Sequence, residues 1–509
     1  MSKPKARVLE RSAVDEYLLG HDDASCAAWE DAYRAHLDAG VPADAARCAF
    51  WLGLCLMLAG REAQASGWLA RTQRIIEPLE DECAAMGYLL IPELLEALAS
   101  GDATRALSAA SRATEIGVRF ADADLCAFGV LGQGQALISQ GETTSGVARL
   151  DEVMVSVVAD ELSPITAGIV YCAVILECMG LFDLARASEW TDALSDWCDA
   201  HAGLVPFRGQ CLVHRSQLQQ AAGDWTHAHI IIDEACQRLA DPPHPALGLA
   251  HYQRAELARL RGDLDAADAD YRTSNRLGYS PMPGFALLEL NRGDTDAAYA
   301  TIRRALQETV NVVDRPRLLA AAVEIFRAAA DPASARIACD ELFEIAERSH
   351  CDALDALAAE SVGAVLLSEG DAVSALRSLR NAANGWHRLQ MKYEAARTAV
   401  LLGLCCTAVG DLGSARLEFD VARRTFTDLG AVHDLARVPS TEPASTSALS
   451  RRERDVLAQV AAGKTNREIA DALTISQHTV GRHLENIFAK LGVTTRAAAI
   501  SRAYETDVL

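Results

Sequence analysis

From the start of the chain to about residue 437, apolar residues recur at intervals of three and four. That is the period of helices with one buried face. Alanine, leucine, glutamate and arginine dominate, proline is sparse, and strand-like alternation is almost absent. The pattern predicts an all-α region. Turns of one kind punctuate it: Gly101-Asp102, Gly223-Asp224, Gly262-Asp263, Gly293-Asp294, Gly370-Asp371 and Gly410-Asp411. Looser copies stand at Gly60-Arg61, Gly141-Glu142, Gly180-Leu181 and Ala330-Asp331. The intervals between residues 60 and 410 average about 39 residues, which is solenoid spacing.

A second mark runs in phase with the turns. Five residues after each comes Ala65, Ala106, Gly146, Ala185, Ala228, Ala267, Ala298, Ala335, Ala375 or Ala415. A small residue at a fixed phase lets two helices approach closely, and the glycine before it lets the chain reverse through positive φ. Together they predict stacked helical hairpins, against the alternative of a non-repetitive α-bundle. The last copy carries Leu402 and Gly403, then Gly410-Asp411, then Ala415, Phe419 and Ala422, and it resembles tetratricopeptide repeats. The resemblance implies a concave surface that takes a peptide, protein or small-molecule effector. Trp190, Trp197, Phe207, Arg208, His214, Arg215 and Trp225 cluster along the middle of the chain. Of these, Trp190, Arg208, His214, Arg215 and Trp225 are candidates for a ligand pocket. Tryptophans at helical spacing more often belong to a core.

The periodicity stops at residues 438–449, VPSTEPASTSAL, which read as a flexible linker. It resumes in a short tail, residues 450–509, with four legible helix starts. Ser450 with Glu453, and Thr465 with Glu468, are capping boxes. Ser476 and Thr495 can cap a third and a fourth helix, with Gly463 and Gly492 closing the first and third. Only Thr474-Ile475 separates the second helix from the third, a helix-turn-helix arrangement. At 100° per residue, Val480, Leu484, Ile487 and Leu491 share one side of the third helix. His478, Arg482, Glu485 and Asn486 share the other, with Thr479 at its edge.

The tail resembles the LuxR-type DNA-binding domain of bacterial transcription regulators along its whole length. The resemblance is carried by Leu449, Ser450, Arg452 and Glu453; by Gly463, Asn466, Glu468, Ile469 and Ala470; by Ile475, Ser476, Thr479, Val480 and His483; and by Lys490, Leu491, Gly492 and Val493. It implies a double-stranded DNA partner, with RNA polymerase as a further partner. His478, Arg482, Glu485 and Asn486 would read bases or nearby backbone. Thr465, Thr479 and Lys490 would face phosphates, and Asn466, Gln477 and His483 complete the candidate interface. The fourth helix, Thr495–Tyr504, would pair two copies into a homodimer on DNA. Many members carry a lysine where this chain has Gly481, so the sequence recognised would differ.

Charge sharpens the division. The whole chain carries a net −22, yet residues 448–509 hold nine Lys/Arg against seven Asp/Glu, a net +2. Residues 1–447 are left with 39 against 63, a net −24. DNA phosphates would repel the first part and leave binding to the tail. Half of the 509 residues are hydrophobic, without an apolar run of membrane-spanning length or a leader-like start. A cytoplasmic protein without membrane contact is expected. The fourteen cysteines lack metal-site spacing and read as buried free thiols.

Motifs for catalysis are missing. Gly463-Lys464-Thr465 lacks the earlier glycine of a phosphate-binding loop, since Ala458 stands there. Gly129, Gly132 and Gly134 are followed by Leu137 and fall short of a dinucleotide fingerprint. The reading is a DNA-binding transcription regulator with an α-solenoid input region, without enzyme activity, cofactor or metal. The alternative is a tetratricopeptide scaffold with a degenerate DNA-binding tail.

Overall fold

A computed structural model describes the chain except residues 1–2, 201–204, 242, 310–313, 350, 440–448, 474, 492 and 506–509. For residues 3–4, 205–206, 208, 489, 502 and 504–505 it describes the backbone alone. Most of the expected linker, Thr474 of the tight turn and Gly492 therefore lie outside the described residues. Those residues form 28 α-helices and no β-strand. They divide into two compact units, Met1–Val438 and Pro439–Leu509.

The first unit is a tetratricopeptide-like α-solenoid, and its turns show why glycine and aspartate come together. In the hairpin of Leu247–Arg261 and Leu264–Arg276, Gly262 takes φ +87°, which only glycine adopts without strain. Asp263 then caps the second helix by accepting the backbone N–H of Ala266 at 3.1 Å. The same cap recurs at Asp102, Asp183, Asp224, Asp294, Asp331, Asp371 and Asp411. Each contributes about 1 kcal/mol to starting its helix at a fixed residue.

The small residue five positions on is where the two helices cross. Ala106, Ala228, Ala267, Ala298, Ala335 and Ala375 are fully buried. A methyl added at Gly134 would lie 3.1 Å from the carbonyl of Gly146, and one at Gly363 would lie 3.3 Å from that of Ala375. Ala185 breaks the series, because it is exposed. Gly180 ends the helix Pro164–Gly180 instead of turning, and the chain reverses at Phe182, φ +59°. Counting five from Phe182 gives Ala187, which is fully buried. Phase is set by the residue at positive φ, and here that residue is a phenylalanine. Hairpins also begin earlier than the glycine pattern suggested, with Lys3–Leu18 and Asp22–Asp38 folding about Gly20.

None of the fourteen cysteines is in a disulfide, and ten of them are buried. Burial pushes Cys178 up to about 12 and Cys236 up to about 11, so neither is ionised at neutral pH. No described helix is long and apolar enough to cross a membrane.

Candidate nucleic-acid interface

The second unit holds the helices Arg451–Ala461, Asn466–Leu473, Gln477–Leu491 and Arg496–Glu505. Each begins on a side-chain cap. Ser450 Oγ accepts the N–H of Glu453 at 3.2 Å, while Glu453 Oε2 accepts that of Ser450 at 2.7 Å. Thr465 and Glu468 repeat the reciprocal pair. Ser476 Oγ accepts from Thr479 N at 3.0 Å and Thr495 Oγ1 from Ala498 N at 3.2 Å. Gly463, φ +79°, ends the first helix. Such local rules let short helices form where length alone would leave them marginal.

One face of every helix then meets at a single core. Val456, Leu457 and Val460 come from the first and Ile469 and Ala470 from the second. Val480, Leu484, Ile487 and Leu491 come from the third, and Ala499 and Ala503 from the fourth. Three polar clamps hold the helices. Lys490 Nζ donates to Glu453 Oε2 at 2.7 Å, and the Glu453 side chain is only 6% exposed. Burial alone would raise the Glu453 carboxyl, but hydrogen bonds from Lys490 and the Ser450 N–H hold it below its ordinary value. Arg452 donates to the carbonyl of Leu473. Arg496 donates to Asn466 Oδ1 at 2.9 Å and to the carbonyl of Lys464.

Opposite the core, the third helix turns Gln477, His478, Arg482, Glu485 and Asn486 to solvent, with Thr479 and His483 at the edges. No described carboxylate lies within 4.0 Å of Arg482, nor of Arg467 on the exposed side of the second helix. Arg467 joins the candidate set on exposure and charge, which its position in the sequence had not suggested. Gly481 faces open space, where a side chain would meet nothing within 4 Å. Lys490 departs from expectation. Its ammonium turns inward to Glu453, so it serves the fold of the site and is not a free phosphate contact. Thr465 and Thr479 use their hydroxyls at helix starts, and Asn466 gives its carbonyl oxygen to Arg496.

Residues 447–503 match the model of the bacterial regulatory proteins of the luxR family. This tail is a LuxR-family domain. The transcriptional activator protein SolR of Ralstonia solanacearum is 39% identical over 117 residues, 20% of this chain and 50% of SolR. The transcriptional regulatory protein YhcZ of Bacillus subtilis is 55% identical over 51 residues, 10% of this chain and 24% of YhcZ. The nitrate/nitrite response regulator protein NarP of Escherichia coli is 47% identical over 53 residues, 10% of this chain and 25% of NarP. The chain thus spans at most half the length of these relatives. Among solved structures, a chain of the APC/C hetero-tetramer Cut9–Hcn1 aligns over 86% of this chain and 96% of its own, at 11% identity and a TM-score of 0.40. In the LuxR-family domain, Arg452, Glu453, Asn466 and Lys490 serve the clamps, while the third helix presents an exposed polar face.

The pocket expected around the tryptophans does not assemble. Trp190 packs on the amino-terminal core. His214 is fully buried beside Gln217, and burial pulls it down to about 4. Arg215 is half-buried beside Cys211, and the Arg208 side chain lies outside the described residues. Trp225 alone reaches a cavity, where its ring centre sits 5.3 Å from that of Tyr393. This cavity, about 410 Å3, is bordered by residues from Met179 to Arg437. Tyr252 and Arg259 on Leu247–Arg261, Arg317 and Glu324 on Arg315–Ala328, Glu360 on Asp352–Ser368, and Arg397 on Lys392–Ala408 all face it. These are first helices of successive hairpins, whose repeat points the same side inward each time.

Elsewhere, Glu10, His36 and Cys48 bring ligand atoms within 4.8 Å of one another. Arg47 stands 3.1 Å from Glu10 and occupies the charge a cation would use.

Proposed function

We propose that the chain is a sequence-specific DNA-binding transcription regulator, and that its solenoid governs the tail in response to an effector. One observation carries the first half: a LuxR-family domain whose third helix buries Val480, Leu484 and Ile487 and exposes His478, Arg482, Glu485 and Asn486 opposite them. An exposed face of donors and acceptors on the second helix of a helix-turn-helix suits the edges of base pairs in the major groove. The fourth helix supplies the surface for pairing two copies, which offsets the modest charge of one tail.

The second half rests on charge. The net −24 of residues 1–447 stays tied to the tail by about a dozen residues, whose root-mean-square span as a coil is roughly 20 Å. Any DNA the tail approaches comes near that charge, and repulsion acts within a screening length of about 8 Å at physiological salt. An effector releases the tail only if it binds the open state better than the closed one.

The test is a mobility-shift titration of the full chain against random and selected duplexes over a range of salt. Binding that falls steeply with salt, with a selected sequence preferred over random duplex, is the expected result. No binding at low salt would leave the scaffold reading in its place.

A further inference from the structure

The cavity holds arginines that its own carboxylates do not pair. Five arginines and five carboxylates border it. Four of the carboxylates are matched. Glu256 receives Arg259 at 2.8 Å, and Glu324 receives Arg397 at 2.8 Å. Glu360 accepts from the Trp386 indole at 3.0 Å and the Thr398 hydroxyl at 2.5 Å, and Asp434 accepts from the Tyr393 hydroxyl at 3.0 Å. The fifth, Glu394, has a buried oxygen without a partner, and burial pushes it up to about 7, so its negative charge is half withdrawn at neutral pH.

The arginines are not matched to the same degree. No described carboxylate lies within 4.0 Å of Arg317, Arg327 or Arg437. Arg317 donates to the carbonyl of Met179 at 2.8 Å and stands 4.8 Å over the Phe182 ring. Arg327 donates to the Ser368 hydroxyl at 3.4 Å, and burial holds it below its ordinary value despite the nearby Glu324. Arg259, only 8% exposed, keeps a buried Nε–H without an acceptor. A buried donor left unmade costs free energy that a bound acceptor recovers. These arginines without carboxylate partners sit within a region whose net charge is strongly negative. Most of the remaining wall is apolar and aromatic, with Tyr252, Leu260 and Trp225 among its residues, beside the amides of Gln217, Gln220 and Gln253 and the hydroxyl of Ser361, and the volume is that of a small-molecule site.

We infer that this cavity binds a small organic anion: a carboxylate or phosphate head among the unmatched arginines, with an aromatic or apolar body against the rings. The inference rests on the reading that the solenoid governs the tail, and it names the chemical class of the effector. The placement suits that role. Asp434 and Arg437 border the cavity from Val432–Arg437, the last helix of the solenoid, directly before the segment that joins the tail. An anion held there touches the element through which the chain continues to the DNA-binding unit.

The experiment uses the full chain and two dyes of like shape, anionic 8-anilinonaphthalene-1-sulfonate and neutral N-phenyl-1-naphthylamine. The anionic dye is expected to bind at least about tenfold more tightly, the scale of a charge-assisted contact. Arg317→Gln and Arg327→Gln are each expected to shrink that preference, and the exposed Arg303→Gln is expected to leave it intact. Arg327→Lys, which keeps the charge, restores part of it, and helical circular dichroism reports that the variants fold. Phenylacetate and phenyl phosphate should displace the dye better than 2-phenylethanol, and the stronger of the two tells a carboxylate site from a phosphate site. Equal binding of the two dyes, a preference untouched by both glutamine variants, or displacement by 2-phenylethanol as well as by the anions would overturn the assignment. Operator binding is measured in the same samples without dye. Its loss would overturn the regulatory reading, whereas failure of the dye arms alone leaves that reading standing.

Discussion

The two units use arginine in opposite ways. The LuxR-family tail keeps Arg467 and Arg482 exposed and unmatched, and turns Lys490, Arg452 and Arg496 inward as clamps. The solenoid pairs many of its arginines with carboxylates, as Arg336 does with Glu369, leaves others such as Arg303 on the surface, and sets three without a carboxylate partner, Arg317, Arg327 and Arg437, around a cavity. An unmatched cation outside suits an extended polyanion. The same group inside, beside aromatic walls, suits an anion small enough to be enclosed. Net charge alone therefore misleads for this chain, because the region with −24 also sets arginines without carboxylate partners around one cavity.

The comparison breaks most visibly at the clamp. Lys490→Met leaves the Glu453 carboxylate in the core of the tail with the Ser450 N–H as its remaining donor, and should cost about 3 kcal/mol. Thermal unfolding of the tail measures it. Wild-type stability should itself depend on acid pH. The folded Glu453 value lies below the unfolded one, so its contribution is full above the unfolded carboxylate value and disappears as pH falls through the folded one. Glu453→Gln should flatten that acid limb. If Lys490→Met instead left stability unchanged and weakened DNA binding alone, Lys490 would be a phosphate contact after all.

Next in size is the reading face. Arg482→Ala should weaken binding to the preferred operator by about 1–3 kcal/mol and leave the fold intact, because the side chain points away from the core. Titration against operator and random duplex separates a base contact, which loses preference, from a phosphate contact, which weakens both equally.

The smallest effect belongs to Gly481. Alanine there should stabilise the third helix by about 1 kcal/mol, since a methyl meets open space and glycine lowers helix propensity. A shift of the unfolding midpoint in the opposite direction would show that the glycine serves the backbone.

What the sequence revealed follows locality. The Gly-Asp turns and the Ser450, Thr465, Ser476 and Thr495 caps act within three or four residues, so the order of letters displays them. The turn at Phe182 escaped because a phenylalanine at positive φ leaves no compositional sign. The Lys490–Glu453 clamp joins residues 37 apart in the chain. The cavity gathers Met179, Arg259, Glu324, Arg397 and Arg437, which meet only after several hairpins have stacked. The tryptophans of the middle stretch were visible as a cluster, but their helical spacing sent most of them to the core.

In the function we propose, the tail reads DNA and the solenoid restrains it. The direct measurement is the affinity of the full chain and of residues 445–509 for one operator, at two salt concentrations, with both made dimeric by the same fused zipper. The tail carries its own core and caps, so it is a fair comparator. The account predicts weaker binding by the full chain, with the gap narrowing at the higher salt as repulsion is screened. Equal or tighter binding by the full chain would contradict it.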